Sequence, residues 1–244
     1  MTPPGSACPF TLAEYRSLIR LAGERLSFRD FERFDGDNQI IWRHDVEYSL
    51  QEMDTLARID CDERIPAVLF VQVRSPFYNG LSAYARSLFR DWLAGGLRIG
   101  LHFDWEYFAD DLENIERHLA AERGKVEDLI GSPVRCFSYH NPTEAVLSFT
   151  GDMAGMINAY HPRFFLGEGV HYISDSNGRW RMRNLREVLS DPAVTRLQVN
   201  LHDTWWTDDR VPQIAKIDKA FAADAQWKSA FYRKHANVIV DQVI

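Results

Sequence analysis

Cysteine is nearly absent from this 244-residue chain: there are three, Cys8, Cys61 and Cys136, an odd number with no C-x-x-C spacing. That excludes a disulfide framework and fits a reduced, cytoplasmic setting. Long apolar runs are missing too. No stretch approaches the roughly 18 residues of a membrane span. The opening residues, Met1-Thr2-Pro3-Pro4-Gly5-Ser6, lack the basic-then-apolar pattern of a signal peptide, so none is expected. Positive charge is in deficit, with 28 Lys and Arg against 35 Asp and Glu and a formal charge of -7, which weighs against a nucleic-acid partner. Internal repeats, low-complexity tracts and linker-like segments are also lacking.

What is present is a globular composition, 45% hydrophobic and 26% charged, in a length that suits one α/β domain over residues 1–244. Short apolar runs alternate with amphipathic stretches. Thr11-Leu12-Ala13-Glu14 and Ser49-Leu50-Gln51-Glu52 read as capping boxes that open helices. Further helices are expected over about 81–93 and 112–130. Strands are expected at Gln39–Arg43, Pro66–Val73, Leu97–Phe103, Val134–Tyr139, Arg163–Leu166, Tyr172–Ser174 and Arg196–Leu201, with a last one at Val238–Val240. Such repeated units indicate a parallel barrel or an open doubly wound sheet. Periodicity does not choose between them.

The chemically capable residues collect where the expected strands end, the edge at which α/β folds carry their sites. His44, Asp45 and Glu47 follow the first strand, and His102 and Asp104 the third. His140 and Asn141 follow the fourth, Asp175 the sixth, and His202 and Asp203 the last major one. Four of the eight histidines thus share one edge. Asp45 and Glu47, two apart on a strand, point to the same side. Two carboxylates held together need a cation or hydrogen bonds. A metal ligand beside a general base is one resolution, and an ion pair with Arg43 is the plainer one. His102 is a ligand or a satisfied core histidine, and His140 a ligand or a turn residue. Trp205-Trp206 beside His202 offers a sugar-stacking surface or simply packs the rim. His118, His161 and His235 read as structural.

Five blocks carry a resemblance. Arg43-His44-Asp45-Val46-Glu47-Tyr48-Ser49, Gly100-Leu101-His102-Phe103-Asp104, Phe137-Ser138-Tyr139-His140-Asn141-Pro142, Tyr172-Ile173-Ser174-Asp175-Ser176 and Leu201-His202-Asp203-Thr204-Trp205-Trp206 occur in that order. Together they resemble the motif series of the polysaccharide deacetylases (NodB-homology domains, carbohydrate esterase family 4), in a divergent branch. The resemblance implies a distorted (β/α)7 barrel of parallel strands with outer helices, and metal-dependent hydrolysis of an N-acetyl or other N-acyl group on an amino sugar. It also implies Asp45 as base, Glu47 and His102 as metal ligands and His202 as acid, although Asp45 and Glu47 are able to exchange roles.

One departure stands out. The family carries a second histidine four residues after the first, where this chain has Glu106. Glu106 or His140 then has to complete the ligand set of a divalent metal, zinc being the expected ion. Arg135, Tyr139, Asn141, Asp175, Trp205 and Trp206 are expected to contact substrate, Arg135 by meeting a carboxylate or phosphate. The expected substrate is a small or lipid-linked amino sugar in surface-glycan assembly, of the lipopolysaccharide O-antigen kind. The rivals are a metal-independent amide hydrolase on the same fold and a glycan-binding or assembly protein without turnover.

Overall fold

Polar side chains start the helices where the capping patterns place them. Thr11 Oγ1 accepts the Glu14 amide at 3.1 Å, and α1 runs Leu12–Gly23. Ser49 Oγ accepts the Glu52 amide at 3.3 Å, and α2 runs Leu50–Asp62. Each satisfies an N–H that the first turn leaves without a partner. The computed structural model describes residues 10–181 and 183–243, with side chains to residue 236, so Cys8 lies outside the described residues.

In chain order the strands are β1 (Ser27–Arg29), β2 (Gln39–Val46), β3 (Val68–Val71), β4 (Arg98–Phe103), β5 (Cys136–Tyr139), β6 (Ile157–Asn158), β7 (His171–Ser174) and β8 (Arg196–His202). The remaining helices are α3 (Ala83–Ala94), α4 (Ile115–Ile130), α5 (Glu144–Leu147), α6 (Leu185–Ser190) and α7 (Gln213–Val243). A 3-10 segment, Trp105–Asn114, leads from β4 into α4. Pairing is parallel throughout, in the order β6-β5-β4-β3-β2-β8-β7, and β1 pairs with the first half of β2.

Two apolar layers show that this sheet curls round a lumen. Ile40, Trp42, Leu69, Leu101, Phe137, Val199 and Leu201 pack outward against the helices. Their neighbours in sequence face the other way: Ile41, Val68, Phe70 and Cys136 join Phe31, Phe34 and Phe164 in a second cluster inside the curl. Strands buried on both faces read as continuous apolar runs, and those runs are what the sequence displays. The lumen is tight, since a Cβ on Gly100 of β4 would sit 2.5 Å from the Phe70 ring. This is the expected distorted barrel of parallel strands with outer helices.

Two expected strands are something else. Arg163–Leu166 is a run of turns whose amides are taken up locally, Phe164 N by His161 O (2.8 Å) and Arg163 N by His161 Nδ1 (3.1 Å). Its apolar character comes from Phe164, which plugs the lumen. Val238–Val240 continues α7, where an established helix propagates at little cost through β-branched residues. The short β1 and β6 carry too few residues to show alternation. Among the described residues, no helix is long and apolar enough to cross a membrane.

Candidate functional site

Alternation along β2 divides its polar residues between two roles. Arg43 and Asp45 face the lumen. His44 faces the helices, where Nε2 lies 3.0 Å from Tyr15 Oη and 2.9 Å from Asp60 Oδ2, and Tyr15 accepts the Trp42 indole N–H at 2.9 Å. His44 is therefore held through Nε2 in a core network, its Nδ1 taking no hydrogen bond, apart from the other three strand-end histidines. Inside, Asp45 stands level with His202 of β8, and His102 of β4 level with Ser138 of β5. Register thus brings the functional groups of four strands to one end of the curl.

Glu47, just past β2, is the hub. Its Oε1 lies 3.3 Å from His102 Nε2, 3.9 Å from His140 Nε2 and 3.8 Å from His202 Nε2. Each imidazole has its own neighbour behind it. Ser138 Oγ is 2.7 Å from His102 Nδ1, Asp104 Oδ1 is 3.7 Å from His140 Nδ1, and Asp175 Oδ1 is 2.6 Å from His202 Nδ1. Asp175 also accepts the Trp206 indole N–H at 2.7 Å. Asp45 is tethered through one oxygen: Oδ2 accepts from Arg43 Nη2 at 2.8 Å and Asn200 Nδ2 at 3.0 Å, while the buried Oδ1 takes no hydrogen bond. Arg43 is itself wedged in the lumen, donating to Gln198 at 3.0 Å with its guanidinium 5.1 Å from the Phe70 and Tyr160 ring centres.

The charges follow from these contacts. Burial alone would raise the Asp45 carboxyl, but Arg43, His102 and His202 hold it well below the usual carboxylate range. Glu47 is lowered in the same way, burial being outweighed by His202 and His102. Burial disfavours the charged ring of His202, yet Glu47 and Asp175 push it up to about 10. His140 is raised against its burial by Asp104 and Glu47. Behind the site, Asp203 accepts the Tyr48 and Ser49 amides and so ties the entry of α2 next to Glu47. Burial raises its carboxyl to about 7.

A cavity of about 370 Å³ opens onto this cluster, lined by Asp45, Glu47, His102 and His202 and, of the expected substrate contacts, by Tyr139 and Asn141. Several expectations are corrected. Trp205 and Trp206 are buried, Trp205 against Tyr48 and Trp206 against Phe10 and Tyr15, so neither offers a face to a sugar. Arg135 precedes β5, at the end of the sheet opposite the cluster, and lines a separate small cavity with Asp30 and Phe31. Glu106 is exposed on the 3-10 segment and lies outside the cavity lining; Asp104, two residues earlier, is the acid that reaches His140. Asp175 sits behind His202, away from the lining. Sequence reasoning missed Ser138, Asn200 and Tyr172, whose hydroxyl accepts from Asn200 at 3.1 Å. For Asn200 the available signal was the run of polar positions Gln198, Asn200 and His202, alternating with Leu197, Val199 and Leu201.

The donors fit a divalent cation. Imidazole and carboxylate are the ligand types of zinc and its neighbours, and the Ser138 hydroxyl at 2.7 Å from Nδ1 fixes the orientation of the His102 ring. Among the described residues, one trio has its ligand atoms within 4.8 Å of one another, Asp45, Glu47 and His202, while His102 and His140 each approach Glu47 at 3.3 and 3.9 Å.

No family model matches the sequence, and no curated protein matches it. Among solved structures, the chain is similar to the Xyl-CE4 domain of a multidomain xylanase from the hindgut metagenome of Trinervitermes trinervoides, at 15% identity and a TM-score of 0.39 over 67% of this chain and 73% of that one. It is also similar to a family 4 acetyl xylan esterase from Clostridium thermocellum, determined in complex with a cobalt ion, at 12% identity and a TM-score of 0.38 over 78% and 85%. These are carbohydrate esterase family 4 domains, the family whose motif series the sequence resembles.

Proposed function

We propose that this chain is a metal-dependent hydrolase that removes an N-acetyl group, or another N-acyl group, from an amino sugar. The observation that carries the reading is the position of Glu47 Oε1, within 3.9 Å of three imidazole nitrogens and beside a second buried carboxylate with one oxygen unpartnered.

The contacts favour one division of labour. Glu47, His102 and His140 hold the ion, zinc in the first instance. His102 has the Ser138 hydroxyl 2.7 Å from Nδ1, which leaves Nε2 turned toward Glu47. His202 has a buried carboxylate behind it, which stabilises imidazolium and suits a proton donor. Lewis acidity toward the acyl carbonyl is what a divalent ion supplies there. Asp45 keeps Oδ1 available and is held ionised by Arg43, so it takes the proton of the attacking water. His202 then delivers a proton to the departing amine nitrogen, with Asp175 fixing its ring. Tyr139, Asn141 and the surrounding walls hold the sugar, within a cavity near the lower end of the roughly 300–1,000 Å³ that small ligands occupy. A small or lipid-linked amino sugar in surface-glycan assembly is the substrate proposed.

The test is release of acetate and free amine from N-acetylglucosamine and its phosphorylated derivatives by the metal-loaded protein. Asp45→Asn should lower turnover by about 10²- to 10⁴-fold, the worth of a general base. Turnover retained in that variant, with the fold intact by circular dichroism, would remove Asp45 from the role.

A further inference from the structure

We propose that Arg181 and Ser176 form an anion subsite at the mouth of the catalytic cavity, so that the substrate is an acylated sugar carrying a phosphate or carboxylate close to the ring. This rests on the acyl-hydrolase reading and adds the substrate's charge to it.

Arg181 is the only arginine or lysine among the described residues that line the cavity. Two arginines farther along are committed to acids, Arg183 to Asp191 at 2.9 Å and Arg186 to Glu14 at 3.0 Å, and the exposed Arg179 lies outside the cavity lining. Arg181 has no such pair with a described acid, and its Nη2 donates only weakly to Ser176 Oγ at 3.4 Å. An exposed guanidinium without a carboxylate, aligned by one hydroxyl at the entrance to a site, is a ready partner for an oxyanion.

The segment that presents it is built. The Asp175 carbonyl accepts the Gly178 amide at 2.9 Å and the Arg179 amide at 3.2 Å, and Gln213 Nε2 donates to the Gly178 carbonyl at 2.9 Å. Gly178 adopts φ +66°, and a Cβ there would meet Gln213 Cγ at 2.4 Å and Trp205 at 3.1 Å. The turn is therefore pinned on α7 and on the buried Trp205, and it links Asp175, the anchor of His202, to Arg181 six residues on.

The rest of the lining gives the subsite its direction. The buried Asp45 and Glu47 repel an anion, and Pro142, Leu147 and Phe165 add apolar lining. Arg181 is exposed and hydrogen-bonds Ser176, so a charged substituent is best met beside these two residues. Sugar phosphates and uronic acids share this chemistry.

The test reads binding apart from turnover. In an Asp45→Asn background, calorimetry with the metal-loaded protein compares N-acetylglucosamine, N-acetylglucosamine 1-phosphate, its uridine diphosphate ester and N-acetylmuramic acid. The phosphorylated or carboxylated ligands should bind more tightly than the neutral sugar. Arg181→Ala should remove about ten- to a hundredfold of that preference, the worth of a charge-assisted hydrogen bond. Arg181→Lys should restore part of it, and Arg179→Ala should leave it intact. The ester and the carboxylate then tell which anion the site takes. No preference for the charged ligands, absence of measurable binding included, overturns the proposal, as does a preference that survives Arg181→Ala. Acetate release from the neutral sugar by the Asp45 enzyme would in that case leave the hydrolase reading standing.

Discussion

His202 Nδ1 stands 2.6 Å from Oδ1 of Asp175, and the second oxygen of that carboxylate accepts the Trp206 indole N–H at 2.7 Å. The histidine therefore has one orientation, with Nε2 toward Glu47 and the cavity. Asp175→Asn keeps the shape but removes the charge that holds the imidazolium. We expect kcat to fall by about 10²- to 10⁴-fold with little change in KM, since proton donation is lost while the lining is kept. Steady-state kinetics on the acyl sugar checks this. An unchanged kcat would show that His202 acts without its carboxylate.

Arg43 and Asp45 form a buried pair 2.8 Å apart. Arg43→Met leaves a buried carboxylate without its counter-charge, at a cost of about 3–5 kcal/mol at neutral pH, read by urea unfolding. The sign with pH follows. Asp45 has its folded pKa lowered, so its contribution is fully present above the unfolded value of about 3.9 and is lost as pH falls toward the folded value. The gap between parent and variant should narrow below about pH 4. A gap that widens there would contradict the tether.

His44 belongs to the core network and stands apart from the proposed catalytic residues. Tyr15→Phe strips a hydroxyl that faces His44, Asp60 and Trp42. Unfolding free energy should drop by about 1–3 kcal/mol, the cost of buried groups left unsatisfied. kcat/KM below the unfolding temperature should stay within about twofold, because no cavity group moves. A larger catalytic loss would bring His44 into the site.

Proton competition gives a further expectation. The His140 ring, raised above its ordinary value by Asp104 and Glu47 against the effect of burial, must lose its proton to ligate. Apparent metal affinity should fall by about tenfold per pH unit, per proton displaced, below that raised value. Competition titrations with a chromophoric chelator between about pH 6 and 8 measure the slope. A flat profile would take His140 out of the ligand set.

The sequence displayed the sheet because parallel strands buried on both faces leave apolar runs, and it displayed the site because His102, His140 and His202 interrupt the ends of those runs. Capping boxes at Thr11 and Ser49 were legible for the same reason, being local chemistry. What stayed hidden depends on tertiary contacts. Trp205 and Trp206 look alike to a solvent-facing pair until the turn at Gly178, Phe10 and Tyr15 close over them. Arg135 and Arg181 are equivalent as letters, and only strand direction sends one to the far end and the other to the cavity mouth. His44 is set apart from the other strand-end histidines by the parity of its position on β2, which is readable once the strand is known to reach Val46.

Glu47, His102 and His140 are proposed to hold a divalent ion. Elemental mass spectrometry on protein purified without chelator or metal-affinity resin tests it most directly. About one equivalent of zinc or a similar ion per chain is expected, lost in His102→Ala while the fold is retained. Less than about a tenth of an equivalent, with no uptake when zinc, cobalt or manganese is added, would contradict it.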